Sequence, residues 1–167
     1  MWSNIKTYII SIAITLSVGG LSGFLIKDSI PKYESLNLPA LAPPSILFPI
    51  VWTVLYVLMG ISAAMVYQSA IKRTAGSGSY LSSKGAQALF VYGLQLLVNF
   101  FWPILFFNLE MRLTAFYWLI LLIFLVIVMI VKFLEVDRTA ALLQIPYLVW
   151  LFYASYLNFS IYMLNRS

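Results

Sequence analysis

Five apolar runs divide the chain, from Ile5 to Ile26, Ser45 to Ser69, Ala86 to Phe107, Thr114 to Leu134 and Ala140 to Leu164, and charged residues gather at or beyond their ends. Each run has roughly the 20 residues that a helix needs to cross a hydrocarbon core. Within the runs the apolar positions are continuous and do not alternate every second residue, which favours helices over a transmembrane barrel. The pattern predicts an all-α membrane protein, a bundle of five transmembrane helices. Only two connectors have length, at 27–44 and 70–85. The remaining two are short, so the third, fourth and fifth spans are expected as antiparallel neighbours.

Composition strengthens this reading. Of 167 residues, 63% are hydrophobic and 9% charged, with a mean hydropathy of +0.97, whereas soluble domains carry about 25% charge. Lys6 before the first apolar run could suggest a secretory signal, but the run exceeds the ~7 to 15 residues of a signal core, and Lys27-Asp28 stands where a cleavage site would be expected. The first run is therefore read as a retained helix. No repeat and no soluble domain is evident, so residues 1–167 are expected to form one domain, with Gly76 to Ser79 as a flexible inner loop.

Five spans place the termini on opposite sides. Lys6, Lys72, Arg73, Lys84, Lys132 and Arg138 face Lys27, Lys32, Arg112 and Arg166 across the membrane. That bias predicts a cytoplasmic N-terminus. The net charge of +5 is scattered along the connectors, as membrane-flanking charge is, and forms no nucleic-acid patch. Cysteine and histidine are both absent. Thiol and imidazole chemistry, disulfides, most transition-metal sites and His- or Cys-ligated haem are thereby excluded, and no metal or cofactor is expected.

The remaining candidates for chemistry are aromatic and amide side chains at membrane depth. Pro39, Pro43, Pro44 and Pro49 each fix φ and remove a donor, predicting a stiff, extended lid in which only Pro49 can sit in an opening helical turn. Trp52 and Tyr56 follow on one helical face. Gln95, Asn99 and Trp102 recur at i, i+4 and i+7 on the third span. Pro103 cannot donate to the carbonyl of Asn99, which adds a free acceptor to that face. Counting ~1.5 Å per residue from the lid side puts Trp52, Asn99 and Trp102 about 8 to 12 Å below one surface.

On the fifth span Trp150, Ala154 and Asn158 recur every four residues, with Pro146 one turn earlier, and the small Ala154 leaves room for the edge of a flat ligand. Buried amides can equally be hydrogen-bond glue between helices, and Trp2 and Trp118 fit the interfacial belt. Trp150 lies too deep for a belt, and Trp52 and Trp102 share a layer with amides. Together they favour a pocket walled by π-faces. Gly19 and Gly23 form a GxxxG that suits packing within the chain as well as dimerisation.

The run from Pro39 to Pro44 followed by Phe48-Pro-Ile-Val-Trp52-Thr-Val-Leu-Tyr56 and Met59-Gly60 resembles the translocator protein family, the tryptophan-rich sensory or TspO/MBR proteins, also called peripheral-type benzodiazepine receptors. Gln95 to Phe107, Val136 to Leu143, and Pro146 to Trp150 with Leu157-Asn158 resemble that family in the same order and spacing. The resemblance implies a dimeric five-helix bundle with a pocket under the first loop for porphyrins, sterols and benzodiazepine-type ligands. It implies that Tyr33, Trp52, Asn99, Trp102, Trp150 and Ala154 line that pocket, to which the helical spacing adds Tyr56, Gln95 and Asn158.

Two positions depart from the family pattern. Leu41 stands where a lid tryptophan is frequent, and Phe159 and Met163 replace the tyrosine and arginine of the animal sterol segment. High-affinity cholesterol binding is therefore not expected. The function implied is a non-enzymatic membrane receptor or carrier for tetrapyrroles with a sensory or stress-regulatory role. Alternatives are a light-dependent protoporphyrin-degrading enzyme using Trp52 and Trp150 as electron donors, and a scaffold whose ligand controls partner binding. No inverted repeat or broken-helix pair suggests a coupled transporter. The short chain without a targeting peptide fits a bacterial cell membrane.

Overall fold

The computed structural model describes residues 2–74 and 81–166, and the side chains of Trp2, Ser3 and Glu34 fall outside that description. The expected inner loop from Gly76 to Ser79 and the belt role of Trp2 therefore lie outside the described residues. Helix α1 (Trp2–Ile26) leads through a 3-10 turn (Lys27–Ser29) into the short α2 (Ile30–Glu34), and α3 (Leu47–Lys72) follows. Helix α4 (Ser83–Pro103) runs into a π-turn (Ile104–Asn108), then come α5 (Arg112–Leu134), α6 (Arg138–Leu142) and α7 (Ile145–Leu164). Among the described residues there is no strand, and five helices are long and apolar enough to cross a membrane. The chain is an all-α, multi-pass membrane protein.

Local chemistry explains where these helices start and stop. The Ser82 hydroxyl accepts from the Gly85 amide and the Asp137 carboxylate from the Ala140 amide, so each satisfies an amide that has no partner within its helix. Pro103 has no amide hydrogen to give, and the ladder widens directly after it, with the Leu109 amide donating to the Ile104 carbonyl. Pro146 acts similarly on the last span. The apolar run from Ala140 was expected as one helix, but it turns at Leu143 and Gln144 and restarts with proline in the first turn of α7.

The lid departs from expectation in its first half. Lys27 to Glu34 is helical, with Pro31 in the opening turn of α2 where its missing amide costs nothing. The stretch from Ser35 to Ile46 lacks helix, and it bends through a turn in which the Ala42 amide donates to the Pro39 carbonyl. Pro49 does sit in the first turn of α3.

Helix α1 packs mainly on α3 across the long connector, while α4 packs on α5 and α5 on α7, as their short connections require. The backbones of α1 and α3 touch most closely at Gly60, where a Cβ would come within 2.6 Å of the Ile12 Cα. Gly19 lies against the Tyr56 ring of the same chain, so that half of the GxxxG serves packing within the chain. Helix α7 leans on α5 and reaches α3 and α4 through long side chains, which fill the bundle interior with aromatic rings.

Candidate functional site

Two features meet beneath the lid: a buried polar chain and an apolar cavity. Within the chain of hydrogen bonds, the Tyr56 hydroxyl donates to Asn99 Oδ1 at 2.7 Å, and Asn99 Nδ2 donates to the Tyr147 hydroxyl at 2.7 Å. That hydroxyl donates onward to Gln95 Oε1 at 3.0 Å, while Gln95 Nε2 faces the Met59 sulfur at 4.0 Å. Nearer the lid, Trp102 Nε1 donates to Asn158 Oδ1 at 3.3 Å, and Asn158 Nδ2 donates to the Arg112 carbonyl at 2.7 Å. These side chains are buried, and each amide thus finds in the protein the partner that hydrocarbon would deny it.

The cavity has a volume of about 400 Å³ and lies between α1, α3 and the end of α4, roofed by α2. Tyr33, Trp52, Tyr56 and Trp102 line it, together with Gly19, Gly20, Gly23, Phe48 and Phe107. Trp52 is central, with its ring 5.6 Å from Tyr56, 6.4 Å from Trp102 and 6.3 Å from Tyr147. Trp102 in turn stacks on Phe106 at 5.7 Å. Among the described residues no charged side chain lines the cavity, and its surface offers π-faces and apolar edges.

The sequence-derived residues therefore divide into three groups. Tyr33, Trp52, Tyr56 and Trp102 form cavity wall. Gln95, Asn99 and Asn158 stand behind it, holding Tyr56, Tyr147 and Trp102 in place. Trp150 and Ala154 are apart from the cavity wall, and Trp150 lies edge-on to Phe48 at 6.2 Å and beside Tyr153 at 5.2 Å. Phe48 stands between the Trp52 and Trp150 regions, since its own ring is wall and also meets Tyr33 at 5.9 Å. The Trp150 Nε1 and Tyr33 hydroxyl are both buried without a hydrogen-bond partner among the described residues.

Tyr147 was not among the expected site residues, yet it joins Asn99 to Gln95. Its one sequence signal is its place three residues before Trp150, on a helix opened by proline. The glycine wall of α1 was likewise legible only as a packing motif.

The lid is fastened at both ends. Lys32 pairs with Glu110 at 2.9 Å, Ser29 donates to Asn108 Oδ1 at 2.7 Å, and Asn108 Nδ2 donates to the Leu25 carbonyl at 2.9 Å. Farther along, the Asn37 amide donates to Asn165 Oδ1 at 3.0 Å and Asn165 Nδ2 returns a bond to the Asn37 carbonyl at 3.0 Å. Tyr153 donates to the Leu41 carbonyl at 2.8 Å. The Leu41 side chain itself points outward, 67% exposed. The Lys32 ammonium holds the Glu110 carboxyl below the ordinary carboxylate range.

The TspO/MBR family model matches residues 11–164, which take in every residue of the cavity and the polar chain. The chain belongs to the TspO/MBR family. Among relatives in this family, a tryptophan-rich protein TspO from Chlorobaculum tepidum is 32% identical over 166 residues, covering 99% of both chains. A tryptophan-rich sensory protein from Cereibacter sphaeroides is 35% identical over 86% of this chain and 82% of its own length. The translocator protein of Ovis aries is 30% identical over 90% of this chain and 85% of its own.

Proposed function

We propose that this TspO/MBR protein is a membrane receptor or carrier that binds a flat tetrapyrrole, or a related hydrophobic ligand, in the cavity beneath its first loop. The observation that carries this reading is the cavity's wall, in which Trp52, Trp102, Tyr56 and Tyr33 surround about 400 Å³ that no charged side chain among the described residues enters. That volume falls in the ~300 to 1,000 Å³ range of small-molecule sites. Trp52 and Trp102 stack on the macrocycle, and the unpartnered Tyr33 hydroxyl donates to its polar edge. A sensory, regulatory role for the bound state is supported by the name of the Cereibacter relative. The protein acts as a homodimer with its N-terminus in the cytoplasm, on the reading of its charge bias and family.

Photochemical breakdown of the ligand by paired tryptophans finds less support, because Phe48 separates Trp150 from the cavity that Trp52 lines. Titration with protoporphyrin, followed by quenching of tryptophan fluorescence, tests the main reading. Trp52→Ala is expected to weaken binding about tenfold, in keeping with a lost stacking partner of ~0.5 to 1.5 kcal/mol. Trp150→Phe is expected to leave the affinity within about twofold, a change near 0.4 kcal/mol. Equal loss in both variants, or in neither, contradicts the assignment of the ligand to this cavity.

A further inference from the structure

The cavity is roofed but not walled on every side. Leu16, Gly20 and Gly23 of α1 and Pro49 and Thr53 of α3 all line it and are all exposed at the outer surface of the bundle. They form the two lips of an opening between the helices. Gly20 and Gly23 lie seven and four residues before Lys27, hence about 10 and 6 Å inward from that charge at 1.5 Å per residue. The opening therefore faces hydrocarbon, not water.

Two observations indicate that the gap is kept open. A Cβ on Gly20 or Gly23 meets nothing within 4 Å, so no neighbouring group in the chain requires glycine there, although glycine is costly in a helix interior. By contrast Gly19 and Gly60, on either side of the same contact, are needed for close approach to Tyr56 and Ile12. The polar groups along the gap are also silent. Thr53 donates to the Pro49 carbonyl at 2.7 Å and Ser22 to the Phe100 carbonyl at 3.1 Å, which leaves a surface that hydrocarbon can wet.

The aqueous side is shut by contrast. Tyr33 of the roofing helix α2 packs on Phe48 and Phe107 over the cavity, and that roof is fastened by the Lys32–Glu110 and Ser29–Asn108 contacts. We propose that the cavity opens sideways into the bilayer between α1 and α3, and that a phospholipid acyl chain of the lid-side leaflet enters through this gap to contact Trp52. A lipid-dissolved ligand reaches the cavity by the same path, displacing the acyl chain. The gap and its lipid occupant hold whether or not that ligand is a tetrapyrrole.

The test uses the full chain in phosphatidylcholine vesicles whose acyl chains are brominated part-way along their length, because bromine quenches only an indole that it touches. The share of emission due to Trp52 is the difference between wild type and Trp52→Phe. Most of that share is expected to be lost in brominated vesicles and regained in Gly20→Leu/Gly23→Leu, where the lips are filled. The single Gly23→Leu variant serves if the pair fails to fold. A phosphatidylcholine carrying a diazirine on its acyl chain gives an independent readout, with adducts expected on Trp52 or Trp102, the latter only 7% exposed. A Trp52 emission equally bright in both lipids, quenching unaffected by the leucines, or adducts confined to the outer faces of the helices would overturn the proposal.

Discussion

The Tyr147 hydroxyl does two jobs at once, accepting from Asn99 and donating to Gln95 in a part of the bundle that water does not reach. Its removal leaves an amide donor and a carbonyl acceptor unpaired. Tyr147→Phe is therefore expected to cost about 1 to 2 kcal/mol of stability, seen as a lower midpoint of thermal unfolding in detergent. Tyr92 provides the internal control. Its hydroxyl is also buried but has no partner among the described residues, so Tyr92→Phe removes a desolvation cost and is expected to leave the midpoint unchanged or raise it. The two outcomes together separate the hydrogen-bonded chain from mere burial of phenol.

Within the α1–α3 pair, glycine has two opposite meanings. Gly60 lets α1 approach α3, and Gly60→Ala drives a methyl into the Ile12 backbone, for an expected loss of about 1 to 3 kcal/mol. Gly20→Ala meets open space and is expected to be neutral or to stabilise by up to about 1 kcal/mol. Denaturation curves of the two variants in the same detergent decide this. The fastening of α2 has a pH dependence whose sign follows from Glu110. Its carboxyl is held below the ordinary value of 4.5 by the hydrogen bond from Lys32, so the fastening is complete above that value and is lost as pH falls through the lower folded one. Hydrogen-exchange protection of α2, corrected for intrinsic rates, is expected to drop in the wild type as acidification passes below the ordinary carboxylate value of 4.5. In Glu110→Gln it is expected to be low and flat across that range.

For the whole molecule, the helical period made one-helix relations legible and left between-helix relations dark. Trp52 with Tyr56, and Gln95 with Asn99 and Trp102, share faces as their spacing required, because residues three and four apart are neighbours on any helix. That Asn99 would find Tyr147, and that Phe48 would stand between Trp52 and Trp150, depends on how α3, α4 and α7 lean together, which no local period encodes. The lid was misread in its first half because the prolines from Pro39 to Pro49 set the expectation for the whole connector, and Pro31 was left out of account. Followed by a short run of helical residues, it serves instead as the first turn of α2.

The most direct measurement is a structure of the full chain in lipid with protoporphyrin bound. The account predicts a macrocycle seated between α1 and α3, its face against Trp52 and Trp102, with the polar chain through Asn99 and Tyr147 intact behind it. A macrocycle held beside Trp150 with the Trp52 cavity left empty, or bound on the outer surface of the bundle, would contradict it.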